Sequence, residues 1–271
     1  MALVNRVSRA MQTIAPLSLS ESWDNTGWLL EAPFPRQDAT KVFLTIDLTK
    51  EVLDEAIANK DIGVIISYHP PLFVKFKTLL MSDPKQSIAL KCAASGISIY
   101  SPHTALDSCV GGINDWLVRG LGPGKTLPVS TIKDQPEGQD GCGVGRIHYL
   151  EAPTTLNEIS KRIKAFLGLE YLRIGQSPIH NQNKKIESVA VCAGSGASVL
   201  RNTRVDLYLT GEMSHHEVLD ATSRDTSVVL CEHSNSERGY LLHELKPRLE
   251  REFGLEVVCS QLDTDPLKLY Q

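Results

Sequence analysis

Short apolar runs that stop at polar turns and give way to helical patterns recur about six times along this chain. VFLTIDL at 41–47 is followed by Thr49, a candidate N-cap, and then by KEVLDEAIANK with apolar spacing at Val52, Ala56 and Ile57. IGVIIS at 62–67 is continuously apolar, as a strand buried on both faces of a parallel sheet is. It ends at Tyr68, His69, Pro70 and Pro71. GISIY at 96–100, SVAVCA at 188–193, VDLYL at 205–209 and SVVLC at 227–231 also end in polar turns. Those turns begin at Ser101, Gly194, Thr210 and Glu232. Helical patterns follow at 84–95, 213–223 and 236–252. Alternating strands and helices predict an α/β fold with mostly parallel or mixed sheets.

The middle of the chain reads differently. GPGKT at 122–126 and the polar, glycine-rich stretch 134–145 read as loops. GRIHYLEAP at 145–153 reads as a strand. A helix then opens with a capping signature from Thr155 to Glu158, and YLRIGQS at 171–177 reads as another strand. The expected layout is one domain over 1–271. It holds an α/β lobe at about 1–121, a β-α-β segment at about 122–187 and a second α/β lobe at about 188–271.

Composition narrows the class. With 42% hydrophobic residues and a net charge of −4, the chain is neither disordered nor collagen-like. No basic stripe with interleaved aromatics, finger or RNA-binding motif suggests direct nucleic-acid binding. No apolar run approaches the roughly 18–20 residues of a membrane span. The 6 Cys form no C-x-x-C pair and read as buried, reduced thiols, which places the protein inside the cell. Residues 1–20 contain Arg6, Arg9 and several Ser without an acid, a composition that also suits a mitochondrial transit peptide. Leu3, Val7, Ala10, Met11 and Ile14 have helical spacing up to Pro16, and a first domain helix is the preferred reading.

Five of the 8 His fall just after predicted strands: His69, His103, His215, His216 and His233. In open parallel sheets, ligands bind at the carboxyl ends of strands. His103 and Asp107 are four apart, as are His233 and Glu237, so each pair can share one face of a helical turn. With His69, three strand ends then supply mixed nitrogen and oxygen donors, which suit a catalytic Zn²⁺, Fe²⁺ or Mn²⁺ with open positions. Each residue also has an ordinary role. A lone His after a strand more often caps or hydrogen-bonds, and an acid in a first helical turn favours the helix dipole.

Two glycine-rich segments bear on phosphate binding. GPGKT lacks the first glycine of a P-loop, since position 119 is Arg. AGSGAS at 193–198 lies between a strand and a helix, and is either an anion cradle or, preferably, a tight turn. No G-x-S-x-G nucleophile elbow is present.

Six blocks occur in order: ESWDNTGWLL at 21–30, ISYHPPLF at 66–73, YSPHTALD at 100–107, TGEMSHH at 210–216, HSNSERG at 233–239 and LDTDPL at 262–267. Together they resemble the Ngg-one-interacting-factor-three-like family, also described as GTP cyclohydrolase 1 type 2 homologues. The resemblance implies two interlinked α/β lobes with a paired-metal site at strand C-terminal ends. It implies His69, Asp107, His233 and Glu237 as ligands, with Glu237 bridging. His103 would lie beside the metals, and Glu212, His215 and His216 would line the site. Trp23, Asp24 and Asn25 belong to the N-terminal motif, where a structural role is as open as a catalytic one. Tyr68 stands where the bacterial pattern has a first His. Phenol, with a pKa near 10, is a poorer ligand at neutral pH than imidazole, so a second metal is expected to bind weakly or not at all.

On this resemblance the chain holds one or two divalent cations per subunit, Zn²⁺ before Fe²⁺ or Mn²⁺, in a homo-oligomer, either a dimer or a hexameric ring. The implied reaction is hydrolysis of a nucleotide-like molecule, with attack at C8 of a purine and release of formate. Glu212 or His103 would move protons, and His215 and His216 would contact substrate. The alternative is a non-enzymatic regulatory factor, such as a transcriptional co-regulator, that binds a protein partner and carries a structural metal. The cytoplasm is the expected compartment, with the nucleus and then the mitochondrion as alternatives.

Overall fold

Residues 2–181 and 184–268 are described by the computed structural model. Among them the apolar runs become strands of two principal sheets. The order in the five-stranded sheet is Gly27–Leu30, Ser98–Ser101, Ile62–Ser67, Lys41–Thr45 and Glu256–Cys259. All its neighbours are parallel except the first pair. The second sheet has six strands: Gly124–Leu127, Arg146–Thr154, Ile186–Cys192, Leu207–Thr210, Ser227–Leu230 and Arg173–Gly175. Its three central strands run parallel, and its flanking pairs run antiparallel. The expected α/β class with mixed sheets is the one observed.

The chain divides into two compact units, Met1–Leu106 with Tyr240–Thr264, and Asp107–Gly239 with Asp265–Gln271. They are interlinked in sequence, because the chain returns to the first unit to add Glu256–Cys259 to its sheet. Each unit has its own core. In the first, Phe43, Val52, Leu53, Ile65, Ile97 and Ile99 are fully or almost fully buried. In the second, Ala190, Leu200, Tyr208 and Val228 pack together. Burial at about 25 cal/mol per Å² of apolar surface is what holds each layer of helices on its sheet.

Local signals act as read. Thr49 accepts from the Val52 N–H at 3.3 Å and Thr155 from the Glu158 N–H at 3.2 Å, starting the helices Lys50–Ala58 and Leu156–Leu167. A further reciprocal capping box, not predicted above, joins Ser214 and Glu217 on the helix His215–Ser223. Leu3–Ile14 is a helix with Val7, Ala10, Met11 and Ile14 buried, as a domain helix requires.

Two readings need correction, and two strands lie outside the predicted runs. GPGKT is not wholly loop: Gly124–Leu127 pairs with Arg146–Thr154 as an edge strand. A Cβ at Gly124 would lie 2.1 Å from the Tyr149 carbonyl oxygen, so glycine marks close strand approach there. Gly27–Leu30 and Glu256–Cys259 are strands too short and too weakly patterned to be read in advance. The helix expected over 236–252 starts two residues later and is irregular. After a 3₁₀ turn at Ser234–Ser236, Arg238–Tyr240 is α, Leu241–Leu245 widens to π geometry, and α geometry resumes at Lys246–Phe253. Pro247 has no N–H to give the preceding turn and its ring crowds the carbonyl four residues back, which accounts for the widening.

Candidate functional site

Three of the strand-end histidines are held in the same way. In the first unit, Lys41–Thr45 delivers Asp47 and Ile62–Ser67 delivers His69. His69 Nδ1 donates to Asp47 Oδ1 at 2.9 Å. The Ser67 hydroxyl donates to the His69 carbonyl at 2.7 Å and fixes the backbone there. After Ser98–Ser101, His103 opens the helix His103–Ser108 with φ at +30°, a strained backbone for a residue with a Cβ. Its Nδ1 donates to Asp24 Oδ1 at 2.8 Å. Asp24 Oδ2 also accepts from the Thr104 hydroxyl at 2.5 Å and the Thr104 N–H at 3.2 Å. Burial works to raise the Asp24 carboxyl, but the hydrogen bonds from His103 and Thr104 outweigh it and hold the group below the usual carboxylate range.

Tyr68 is buried, and its ring lies 4.9 Å from His69 and 5.5 Å from His103, centroid to centroid. Trp23, well exposed, presents an edge to His103 at 6.1 Å and to Phe73 at 6.2 Å. His69, His103, Tyr68 and Asp24 are thus gathered at the ends of neighbouring strands of one sheet.

In the second unit, His233 follows Ser227–Leu230 and Glu212 follows Leu207–Thr210. His233 Nδ1 donates to Glu212 Oε1 at 2.8 Å. Its Nε2 lies 3.5 Å from Glu237 Oε1, and Glu237 is only 1% exposed. Beside them is Gly194, with φ at +60° after Ile186–Cys192. A Cβ there would lie 2.7 Å from Glu237 Oε1 and 2.9 Å from His233 Nε2. The missing side chain keeps that space clear on the face shared by both donors. Glu232, just before His233, also has positive φ, at 69°.

The AGSGAS segment is a tight turn whose donors face protein. Ala193 N–H goes to Asn114 Oδ1 at 2.9 Å, Gly194 N–H to the Ser236 hydroxyl at 2.8 Å, and Gly196 N–H to Thr210 Oγ1 at 3.0 Å. The anion-cradle alternative is thereby set aside. Asn114, fully buried, also donates to the Asp107 carbonyl at 3.1 Å and so ties the half-buried Asp107 to this turn.

His215 and His216 stack edge to face at 5.4 Å and are exposed at the start of their helix. His216 borders a cavity of about 260 Å³ with Arg201, Tyr208 and Met213. Asp47, though just past a strand end, and Gly194 carry no local sequence signal that marks them as site residues.

A carboxylate on Nδ1 fixes the tautomer and turns Nε2 outward, the arrangement that supports metal-ligating histidines. His69, His233 and Glu237 carry donors that could hold a divalent ion, and glycine at 194 keeps a side chain off the Glu237 and His233 donor atoms.

Comparison with known proteins agrees with this reading of the fold. The model of the Duf34/NIF3 (NGG1p interacting factor 3) family matches residues 2–266. The NIF3 homologue of Schizosaccharomyces pombe is 45% identical over 270 residues, covering 97% of this chain and 96% of its own. NGG1-interacting factor 3 of Saccharomyces cerevisiae is 41% identical over 280 residues, covering 98% and 96%. Among solved structures, a hypothetical protein of Staphylococcus aureus aligns with a TM-score of 0.80 at 24% identity, covering 98% of this chain and 99% of the other, a likeness of fold.

Proposed function

Since the chain belongs to the Duf34/NIF3 (NGG1p interacting factor 3) family, we propose that it is a divalent-metal-dependent hydrolase of a nucleotide-like small molecule. The observation that carries the reading is the buried Glu237 carboxylate beside a carboxylate-held His233, over a glycine whose Cβ would fill the space between them. Burying a carboxylate is expensive unless a cation or strong donors compensate it.

The proposed protein ligands are His69, His233 and Glu237, with Asp107 as a further oxygen donor and Glu237 bridging if two ions bind. Tyr68 would make the second position weak. A bound divalent ion supplies Lewis acidity and acidifies water. The chain's own groups do the rest. Asp47 and Glu212 orient His69 and His233. His103, held by Asp24, can pass a proton at Nε2, and Glu212, half exposed, can accept one. His215 and His216 would contact substrate. Zn²⁺ is the first choice of metal, and a cyclohydrolase-type opening of a purine is the first choice of reaction. A homo-oligomer, dimer or hexameric ring, is part of the same reading.

One observation favours a second reading. The Saccharomyces cerevisiae relative is named for interaction with NGG1, so a protein-binding regulatory factor with a structural metal is the alternative. Among the described residues no helix is long and apolar enough to cross a membrane. Six cysteines outside any disulfide among the described residues, five of them buried, favour the cytoplasm or nucleus over an oxidising compartment.

The test is metal analysis of purified protein, followed by formate release from GTP with Zn²⁺, Mn²⁺ or Fe²⁺ added. Bound metal and metal-dependent formate are expected, with both lost in Glu237→Gln. A chain that neither retains nor takes up metal overturns the hydrolase. Metal without formate overturns the purine-opening step.

A further inference from the structure

The three parallel strands of the six-stranded sheet carry chemistry at both ends. Their carboxyl ends lead to Gly194, Glu212 and His233. Their amino ends open on a separate cavity of about 580 Å³. Residues 201–206 lead into Leu207–Thr210, residues 224–226 lead into Ser227–Leu230, and Lys184 precedes Ile186–Cys192. A four-residue strand rises roughly 13 Å, so this cavity stands about a strand's length from His233.

Its walls are polar and unbalanced in charge. Four cations border it, Lys184, Arg201, Arg204 and Arg224, against two carboxylates, Asp206 and Asp225. That is a formal excess of two positive charges in a chain whose net charge is −4. Asp206 is engaged: it pairs with Lys184 Nζ at 2.9 Å and accepts from the Glu187 and Ser188 N–H groups at 2.9 and 3.0 Å. Arg224 is bound to both carboxylate oxygens of Asp220 at 3.0 Å. Among the described residues, Arg201 and Arg204 have no carboxylate at ion-pair distance. Both are exposed, three residues apart, with Asn202 and Thr203 between them as neutral donors.

A guanidinium presents paired N–H groups that match two oxygens of a phosphate. Like charges in a concavity focus the field and draw anions from solution. The volume lies within the usual range for small-molecule sites. We propose that this cavity binds a small phosphorylated anion, of pyrophosphate size or the phosphate tail of a nucleotide. Arg201 and Arg204 grip the phosphates, Lys184 and Arg224 flank them, and Asp206 holds the Lys184 wall in place. The site is independent of the metal reading, since it shares no residue with that donor set.

Inorganic pyrophosphate titrated calorimetrically into the full chain, in low salt and with chelator present, tests it. Saturable binding near one per chain is expected, weakening with added salt. Arg201→Gln with Arg204→Gln should weaken it at least tenfold. Arg201→Lys with Arg204→Lys should fall in between, because charge remains but the fork is lost. Both side chains are exposed, and an unchanged melting curve will show that the variants fold. Three results overturn the proposal: no saturable heat at millimolar pyrophosphate, undiminished affinity in the double glutamine variant, or binding that appears only when metal is restored.

Discussion

Asp24 in the first unit and Glu237 in the second are both buried carboxylates beside a strand-end histidine, yet they face it differently. Asp24 takes the Nδ1 proton of His103 and fills its other oxygen with Thr104. It is an orienting group whose burial is explained by its own donors. Glu237 stands at the opposite nitrogen of His233, while Glu212 takes the Nδ1 proton. That opposite nitrogen is the one a carboxylate-held histidine offers to a metal. On the proposed metal reading, similar chemistry at two strand ends separates into positioning in one case and ligation in the other.

The largest expected effect breaks the comparison directly. Glu237→Gln should lower metal affinity by about 100-fold or more, because it removes a charged ligand. Asp24→Asn should keep the metal but cost about 1–3 kcal/mol in urea unfolding, since it disturbs a buried acceptor with four donors. Equilibrium dialysis with metal analysis and urea titrations read both. Equal metal loss in the two variants would erase the distinction.

Between those extremes lie the orienting carboxylates at the ligand histidines. Asp47→Asn and Glu212→Gln leave every proposed ligand in place but loosen the imidazole. Each should weaken metal binding by about 10–100-fold. A purely structural role for the pairs predicts a lower melting temperature with metal affinity unchanged.

Gly194 sharpens the comparison through space rather than charge. Gly194→Ala must hold alanine at φ +60° with its Cβ under 3.0 Å from Glu237 and His233 atoms. Gly168→Ala meets the same backbone problem at φ +66° with nothing within 4 Å of the new Cβ. The helix-end variant should cost about 1 kcal/mol, and the Gly194 variant about 2–4 kcal/mol together with lost metal. Matching costs and intact metal binding would mean that the space above Gly194 has no special use.

How much of this was legible in the sequence follows from the range of each interaction. Strand ends and helix caps are local, and Thr49 and Thr155 were readable because a cap and its partner are three residues apart. His233 and Glu237 were readable as a pair for the same reason, even though the turn is 3₁₀ rather than α. Asp47 with His69 and Asp24 with His103 span 22 and 79 residues. No periodicity encodes such pairs; sheet order alone creates them. Gly194 looked like an ordinary turn glycine, because its importance lies in side chains about forty residues away. The amino-end cavity was invisible for the same reason: its cations come from three separate strand entrances.

The smallest effect concerns the histidines that the comparison leaves out. His148 and His180 are buried and meet a hydroxyl or a carbonyl instead of a carboxylate. His148 accepts from the Thr126 hydroxyl at Nδ1 and donates to the Gly122 carbonyl, and His180 Nδ1 meets the Ser227 hydroxyl at 2.7 Å. Among the described residues, His180 Nε2 is buried with no hydrogen-bond partner. Burial therefore lowers both pKa values below the ordinary 6.5. A depressed base binds fewer protons folded than unfolded, so its contribution to stability is fully present above pH about 6.5 and is lost as pH falls toward the depressed folded value. Melting temperature should drop by about 1–3 °C on this account between pH 7.5 and 5.5. His180→Asn, which can keep the contact to Ser227 without a titrating ring, should show a smaller drop. An identical drop in the variant would mean that protonation of His180 does not drive the acid sensitivity.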